Sequence, residues 1–315
     1  MDKPVREHIL SDVVEDLRQN PSINEDEDDL DLGDKSKTKR IRRSSLRNLI
    51  VFSVCYFLCY TGFWALSNLQ STMNAAGGLG DYSQAVIYIF SMISSLFLPK
   101  VLIDKFGCKN ILVFGTLVCT FSIASNMFLR WDLMMTASVL FGLANGPFVA
   151  AQTYYIDEMA TRFQSTIRGN MEFIMALFFG IFSIFSESTQ ISGNLLSYFI
   201  LNPPPENVTH QTECGAEFIP SKNDTNQNLN PPSDFERHLL VGIYLGMALL
   251  SALILVIFLD PLKNDLKDGN GCKVIFERFA SAFKHLQNPH QLLLLPLSVY
   301  IGLEGPFYGN EVTQV

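Results

Sequence analysis

Charged side chains are missing from long stretches of this chain. Asp, Glu, Lys and Arg make up 17% of its 315 residues. They gather in blocks separated by apolar runs of about the 20 residues needed to cross a bilayer. A soluble domain of this size scatters its charges, so that class is excluded. Cysteine pairs are also missing. Cys55, Cys59 and Cys119 fall in apolar runs, Cys108 and Cys272 fall on the expected cytoplasmic side, and Cys214 stands alone outside, so no disulfide framework is expected.

Signatures of chemistry are absent too. His8, His210, His238, His285 and His290 are scattered without metal-ligand spacing, so no metal site is expected. Gly77-Gly78-Leu79-Gly80 lies in an expected external turn, not between a strand and a helix. Gly269-Asn270-Gly271-Cys272-Lys273 lacks the P-loop spacing and its Ser/Thr. The expectation is a non-enzyme with no catalytic residues, no cofactor and no nucleic-acid partner. Charged sequence up to Arg47 leaves no room for a cleavable signal peptide.

What is present points to an all-α polytopic membrane protein whose first partner is the lipid bilayer. Mean hydropathy is +0.20 and 48% of residues are hydrophobic, despite a net charge of -8. Pro99 to Leu112 carries Lys100, Asp104, Lys105 and Lys109, and an ion in hydrocarbon is costly. That segment is therefore read as a short turn, and its lysines mark the cytoplasmic side. The expected spans are 49–69, 84–103, 111–128, 133–154, 171–195 and 239–259, and residues 291–315 open a seventh. Lysine and arginine alternate between the turns as they should if the N-terminus is cytoplasmic.

Residues 1–45 are expected to be a disordered cytoplasmic tail, with an acidic run followed by a basic one. Arg42-Arg43-Ser44-Ser45 in that basic run resembles the target of an arginine-directed kinase. Residues 202–238 form the expected external loop, and Asn207 and Asn223 in it head the chain's Asn-X-Ser/Thr triplets, so glycosylation is expected there. In the linker 261–290, residues 274–286 read VIFERFASAFKHL, an amphipathic helix suited to the membrane surface or to a partner.

Ser183, Glu187, Gln190 and Asn194 follow one another at steps of three and four along the fifth span, which places them on one helix face. In lipid such a face turns toward protein or water, so it is expected to line a central cavity. Interhelical hydrogen bonding and a substrate or proton site both remain open for it. Gly142 and Gly146 have the spacing of close helix packing. Tyr60 and Trp64 belong to an aromatic face of the first span that suits packing or cavity lining.

Leu102-Ile103-Asp104-Lys105-Phe106-Gly107-Cys108-Lys109 resembles the loop motif of the major facilitator superfamily, with Asp104, Lys105, Gly107 and Lys109 matching it. Lys100 stands where that motif has glycine and Cys108 where it has arginine. Ser94 to Pro99 leading into Phe106-Gly107-Cys108-Lys109 is more similar to the Unc-93 family, an offshoot of that superfamily. Phe141-Gly142-Leu143, Gly193-Asn194-Leu195 and Gly242-Ile243-Tyr244 add to the likeness.

The resemblance implies a twelve-helix, two-bundle fold of which this chain holds a six-helix bundle (46–260) and the opening of the second. The chain is accordingly expected to be a fragment. The resemblance also implies a non-enzymatic accessory protein in the plasma membrane or an endomembrane. Its client would be a potassium channel or another membrane protein. A solute or proton-coupled transporter and a receptor-trafficking escort are the alternatives.

Overall fold

The computed structural model describes residues 32–74, 76–167, 169–201, 232–262 and 288–310. The helices are α1 (Leu32–Asn68), the short turn α2 (Gln70–Met73), α3 (Leu79–Phe97), α4 (Pro99–Phe106), α5 (Cys108–Ser125), α6 (Trp131–Gln164), α7 (Met171–Leu201), α8 (Asp234–Phe258) and α9 (Pro289–Asn310). Among the described residues, five helices are long and apolar enough to cross a membrane, or six if α3 and α4 count as one bent span. The chain is an all-α, polytopic membrane protein.

α1 is the hub, packing against α5, α6, α7 and α8, while α3 lies on α6. Aromatic rings supply much of the grip. Tyr60 stacks on Tyr56 with centroids 4.2 Å apart, Phe63 stacks on Phe141 of α6 at 4.3 Å, and Phe52 stacks on Phe182 of α7 at 5.8 Å. Tyr155 and Tyr244 are fully buried with their hydroxyls bonded, as large amphipathic rings require. Cys55, Cys59, Cys108 and Cys119 are free thiols, each buried inside the bundle.

Three boundaries differ from the sequence expectation. Residues 32–45 are helical rather than irregular, because α1 runs from Leu32 straight into the membrane. Lysine and arginine are good helix formers. Repulsion between like charges a turn apart is only a few tenths of a kcal/mol, too little to unwind a helix already nucleated by its apolar half.

The second span does not run on to Ile103. It bends by 66° at Leu98–Pro99, where proline lacks the N–H and crowds the carbonyl one turn back. The expected turn 99–112 therefore contains a helix of its own, α4, followed by Gly107 at φ 80°. At that φ a side chain would be strained, so the chain reverses there at little cost.

The expected external loop ends sooner than 238, because α8 starts at Asp234 behind a capping box. Glu236 N–H donates to Ser233 Oγ at 3.3 Å, and Ser233 N–H donates to Glu236 Oε2 at 2.9 Å. Asn207, Asn223, Cys214, Cys272 and the 274–286 amphipathic segment lie outside the described residues.

α6 is 34 residues long, or about 51 Å at 1.5 Å per residue. The hydrocarbon core is ~30 Å thick, so α6 projects well past it, with Asp157, Glu158 and Arg162 on the projecting end. Arg162 Nε donates to Glu158 Oε1 at 2.8 Å there.

Candidate functional site

The polar residues expected to matter on α7 do lie along one line, but apart from contacts with Asn68 at one end that line is left uncovered by the described helices. Glu187, Ser183 and Asn194 are exposed and Gln190 is half-buried, while Phe178, Phe182, Thr189, Gly193 and Ser197 fill the packed side. Only 17% of the apolar window of α7 is buried, against 56% for α1. Tyr244 on α8 fixes the helix's rotation. Its hydroxyl donates to the Gly193 carbonyl at 2.7 Å and lies 2.9 Å from Ser197 Oγ. The described helices thus enclose no cavity around Glu187; the row forms an open flank of the bundle.

At one end that flank is tied to α1. The Asn68 amide donates to Gln190 Oε1 and to Asn194 Oδ1, each at 3.1 Å. Glu187 lies near the middle of the 31-residue helix. Around it Ile184 and Ile191 are 64% and 72% exposed, so the carboxylate is set in an uncovered apolar surface.

Tyr60 is buried, with its ring 5.6 Å from Phe148 of α6, and Trp64 is half-buried against Phe63. Both belong to the aromatic column that holds α1 to α6. Gly142 and Gly146 bring α6 onto α3. A Cβ on Gly146 would stand 2.6 Å from the Ser95 backbone nitrogen, and one on Gly142 would stand 2.7 Å from the Ile87 carbonyl oxygen. Ser94 Oγ donates to the Gly142 carbonyl at 3.0 Å across the same contact.

A second polar centre sits where α1 enters the bundle, and sequence reasoning missed its key residue, Asp260. One carboxylate oxygen of Asp260 accepts from Ser44 Oγ at 3.0 Å and from Asn48 Nδ2 at 3.1 Å, and forms an ion pair with Arg47. Positions 44, 47 and 48 share one face of α1. Tyr155 of α6 donates to the Asp260 backbone carbonyl at 2.9 Å. Burial works against the charge on Asp260. The hydrogen bonds from Asn48 and Ser44 and the Arg47 cation outweigh it, so the carboxyl is held below its ordinary value. The available signal was the acid itself: a carboxylate just past a helix C-terminus opposes the helix dipole and so calls for a cation.

The loop-motif residues flank this centre. Lys109 Nζ donates to the Val256 carbonyl at 2.9 Å, in the last turns of α8. Cys108 donates its S–H to the Ala151 carbonyl of α6 at 2.9 Å. Lys105 lies 5.4 Å from the Phe106 ring centroid, and Asp104 is half-buried with no ion pair among the described residues.

At the far end of the bundle Arg237 is 6% exposed and donates to the Met73 carbonyl. Beside Met73, Gln70 and Asn74 both donate to Asn126 Oδ1, at 2.8 and 2.9 Å.

A family model described as "Ion channel regulatory protein UNC-93" matches residues 71–310. The chain belongs to the UNC-93 family. It is 30% identical to "Protein unc-93 homolog A" of Xenopus laevis, over 85% of this chain and 60% of that protein. The human protein of the same name is 28% identical, over 86% of this chain and 61% of its own length. A Caenorhabditis elegans relative, "Putative potassium channel regulatory protein unc-93", is 30% identical over 89% of this chain and 41% of its own. The chain thus spans about three-fifths of the length of the homolog A relatives it matches. The UNC-93 model covers α3 through α9, and so takes in the bent second span, the Gly107 reversal and the whole of α7.

Proposed function

We propose that this chain belongs to a non-enzymatic membrane regulator, and that it acts on an ion channel through the open flank of α7. The observation that carries this reading is Glu187, a carboxylate in mid-span on an uncovered helix face. Such a group costs ~2.5–3.5 kcal/mol at the centre of a lipid-exposed helix, and it is retained where a partner or water meets it. The family's description as an ion channel regulatory protein agrees with this. The name of the Caenorhabditis elegans relative makes a potassium channel the first client to try.

The test is co-expression of the full-length protein with a panel of potassium channels, measuring current and co-purification. A matched client is expected to lose both effects when Glu187 is changed to Leu. Unchanged currents with no co-purification across the panel would sink the reading. The row Ser183, Glu187, Gln190, Asn194 also favours a second reading, a polar track for a solute or proton. In that case Glu187→Gln abolishes flux in the full-length protein while leaving channel currents untouched.

The charge at the ends of the helices supports one orientation. The Asp260 contacts bring the start of α1, the end of α8 and the projecting end of α6 together, at the end that also carries Lys109 and Cys108. That end holds Arg40, Arg42, Arg43, Arg47, Lys105 and Arg162, whereas the opposite end of the described bundle offers Arg130 and Arg237. We assign the cation-rich end to the cytosol. On that assignment residues 202–231, which link α7 to α8 in the sequence, carry Asn207 and Asn223 on the external side, open to glycosylation. Loss of glycan on the double Asn→Gln variant checks this, and an unglycosylated wild-type protein counts against it.

A further inference from the structure

We propose that Ser44 is a phosphorylation site, and that phosphate there releases α1 from the end of α8. The inference is independent of which client the protein serves. Ser44 is the meeting point of a basic sequence and an acidic contact. Arg40, Arg42 and Arg43 precede it and Arg47 follows, the environment read by kinases that bind basic side chains on both sides of the acceptor. Its hydroxyl points at Asp260, 3.0 Å away. Ser45 has arginines before it as well, but it is 2% exposed and turned into the bundle.

A kinase binds its target in extended form, so the start of α1 has to open. Little holds it closed. Residues 36–43 are exposed or half-buried, and the Arg42 guanidinium lies 5.3 Å over the Phe163 ring. A helical segment without tertiary packing is marginal in water. Ser44 is thus presented by unwinding the cytosolic turns of α1 while Leu49 and Phe52 stay buried.

The chemistry is ordinary phosphoryl transfer from a nucleoside triphosphate. Ser44 Oγ forms a new O–P bond as the bond between the β- and γ-phosphates breaks. The hydroxyl proton passes to the kinase's base, and the nucleoside diphosphate leaves. What changes at the contact is its sign. Asp260 loses the Ser44 donor and gains a neighbour carrying about −1.5 to −2 charges. Arg47, now placed between carboxylate and phosphate, is drawn to the stronger acceptor. Asn48 is left as the remaining α1 donor to the carboxylate. The segment Leu259–Leu262, which leads out of α8, is then held to α1 by the Asn48 bond alone and opens more readily.

The test uses the full-length protein in detergent, treated with an arginine-directed kinase and ATP. Mass spectrometry is expected to place phosphate on Ser44 in the wild type and in Ser45→Ala, and to lose it in Ser44→Ala. Hydrogen exchange of the amides of residues 255–260 and of Leu262 is expected to rise about tenfold on phosphorylation, as for a local opening. Asp260→Asn is expected to show part of that rise without kinase, and a smaller further rise with it. Phosphate only at Ser45 or another serine, or phosphate on Ser44 with unchanged exchange at those amides, overturns the proposal.

Discussion

Tyr155 Oη donates to the backbone carbonyl of Asp260 at 2.9 Å, while the side chain of the same residue is taken by α1. Two helices far apart in sequence thus hold one residue by its two different acceptors. This residue ties α1 and α6 together just past the end of α8.

Asp260→Asn should destabilise the protein at neutral pH by roughly 0.5–1.5 kcal/mol, because the Arg47 pair is half exposed and the gain of one such contact is modest. The pH dependence has a definite sign. The Asp260 carboxyl is held below its ordinary value in the folded state, so the contribution is whole above about pH 4 and fades as pH falls through the folded value. Thermal unfolding in detergent between pH 7 and pH 3 should show wild type and Asp260→Asn converging at the acid end. A constant gap would show that the contact does not depend on the charge of Asp260.

Gly146→Val should separate α3 from α6, since its Cβ would stand 2.6 Å from the Ser95 backbone nitrogen, which cannot swing aside. Overpacking of this kind costs about 1–3 kcal/mol. Gly180→Ala is the matched control, with nothing within 4 Å of the added carbon. The melting temperature should fall for the first and hold for the second.

The outward orientation of the α7 row predicts a labelling pattern. Ser183→Cys and Glu187→Cys should react rapidly with a maleimide in detergent, and Thr189→Cys, fully buried, should not. Equal reactivity at all three would mean that α7 is rotated or detached.

Arg237→Met should loosen the far end of the bundle. The Met73 carbonyl, now without its donor, is left unsatisfied at a cost of about 1–3 kcal/mol. Hydrogen exchange at 70–74 should rise while that at 44–48 is unchanged. A rise at both ends would point instead to global destabilisation.

The spans were legible in the sequence because hydrocarbon imposes a single rule, that apolar length must match bilayer thickness. The steps from Ser183 to Asn194 likewise announced one helix face. Periodicity says which residues share a face, not which neighbour that face meets. Tyr244 settles the rotation of α7 from another helix altogether. The Asp260 contacts were invisible for a related reason. Ser44 and Asn48 lie 216 and 212 positions away from it, and no local pattern links residues so far apart. The bend at Pro99 lay in plain sight, but charge in the same segment drew the reading toward a simple turn. In the basic run, like charge suggested irregular chain where continuity with the apolar half of α1 prevails.

The four thiols sealed among the helices give the protein a built-in gauge. A dye that lights up on alkylation stays dark while Cys55, Cys59, Cys108 and Cys119 are shielded, and brightens as the bundle comes apart. With Cys214 and Cys272 replaced by serine, each variant proposed above that adds no cysteine can be ranked by the temperature at which its own sulfur first becomes reachable, with no engineered reporter.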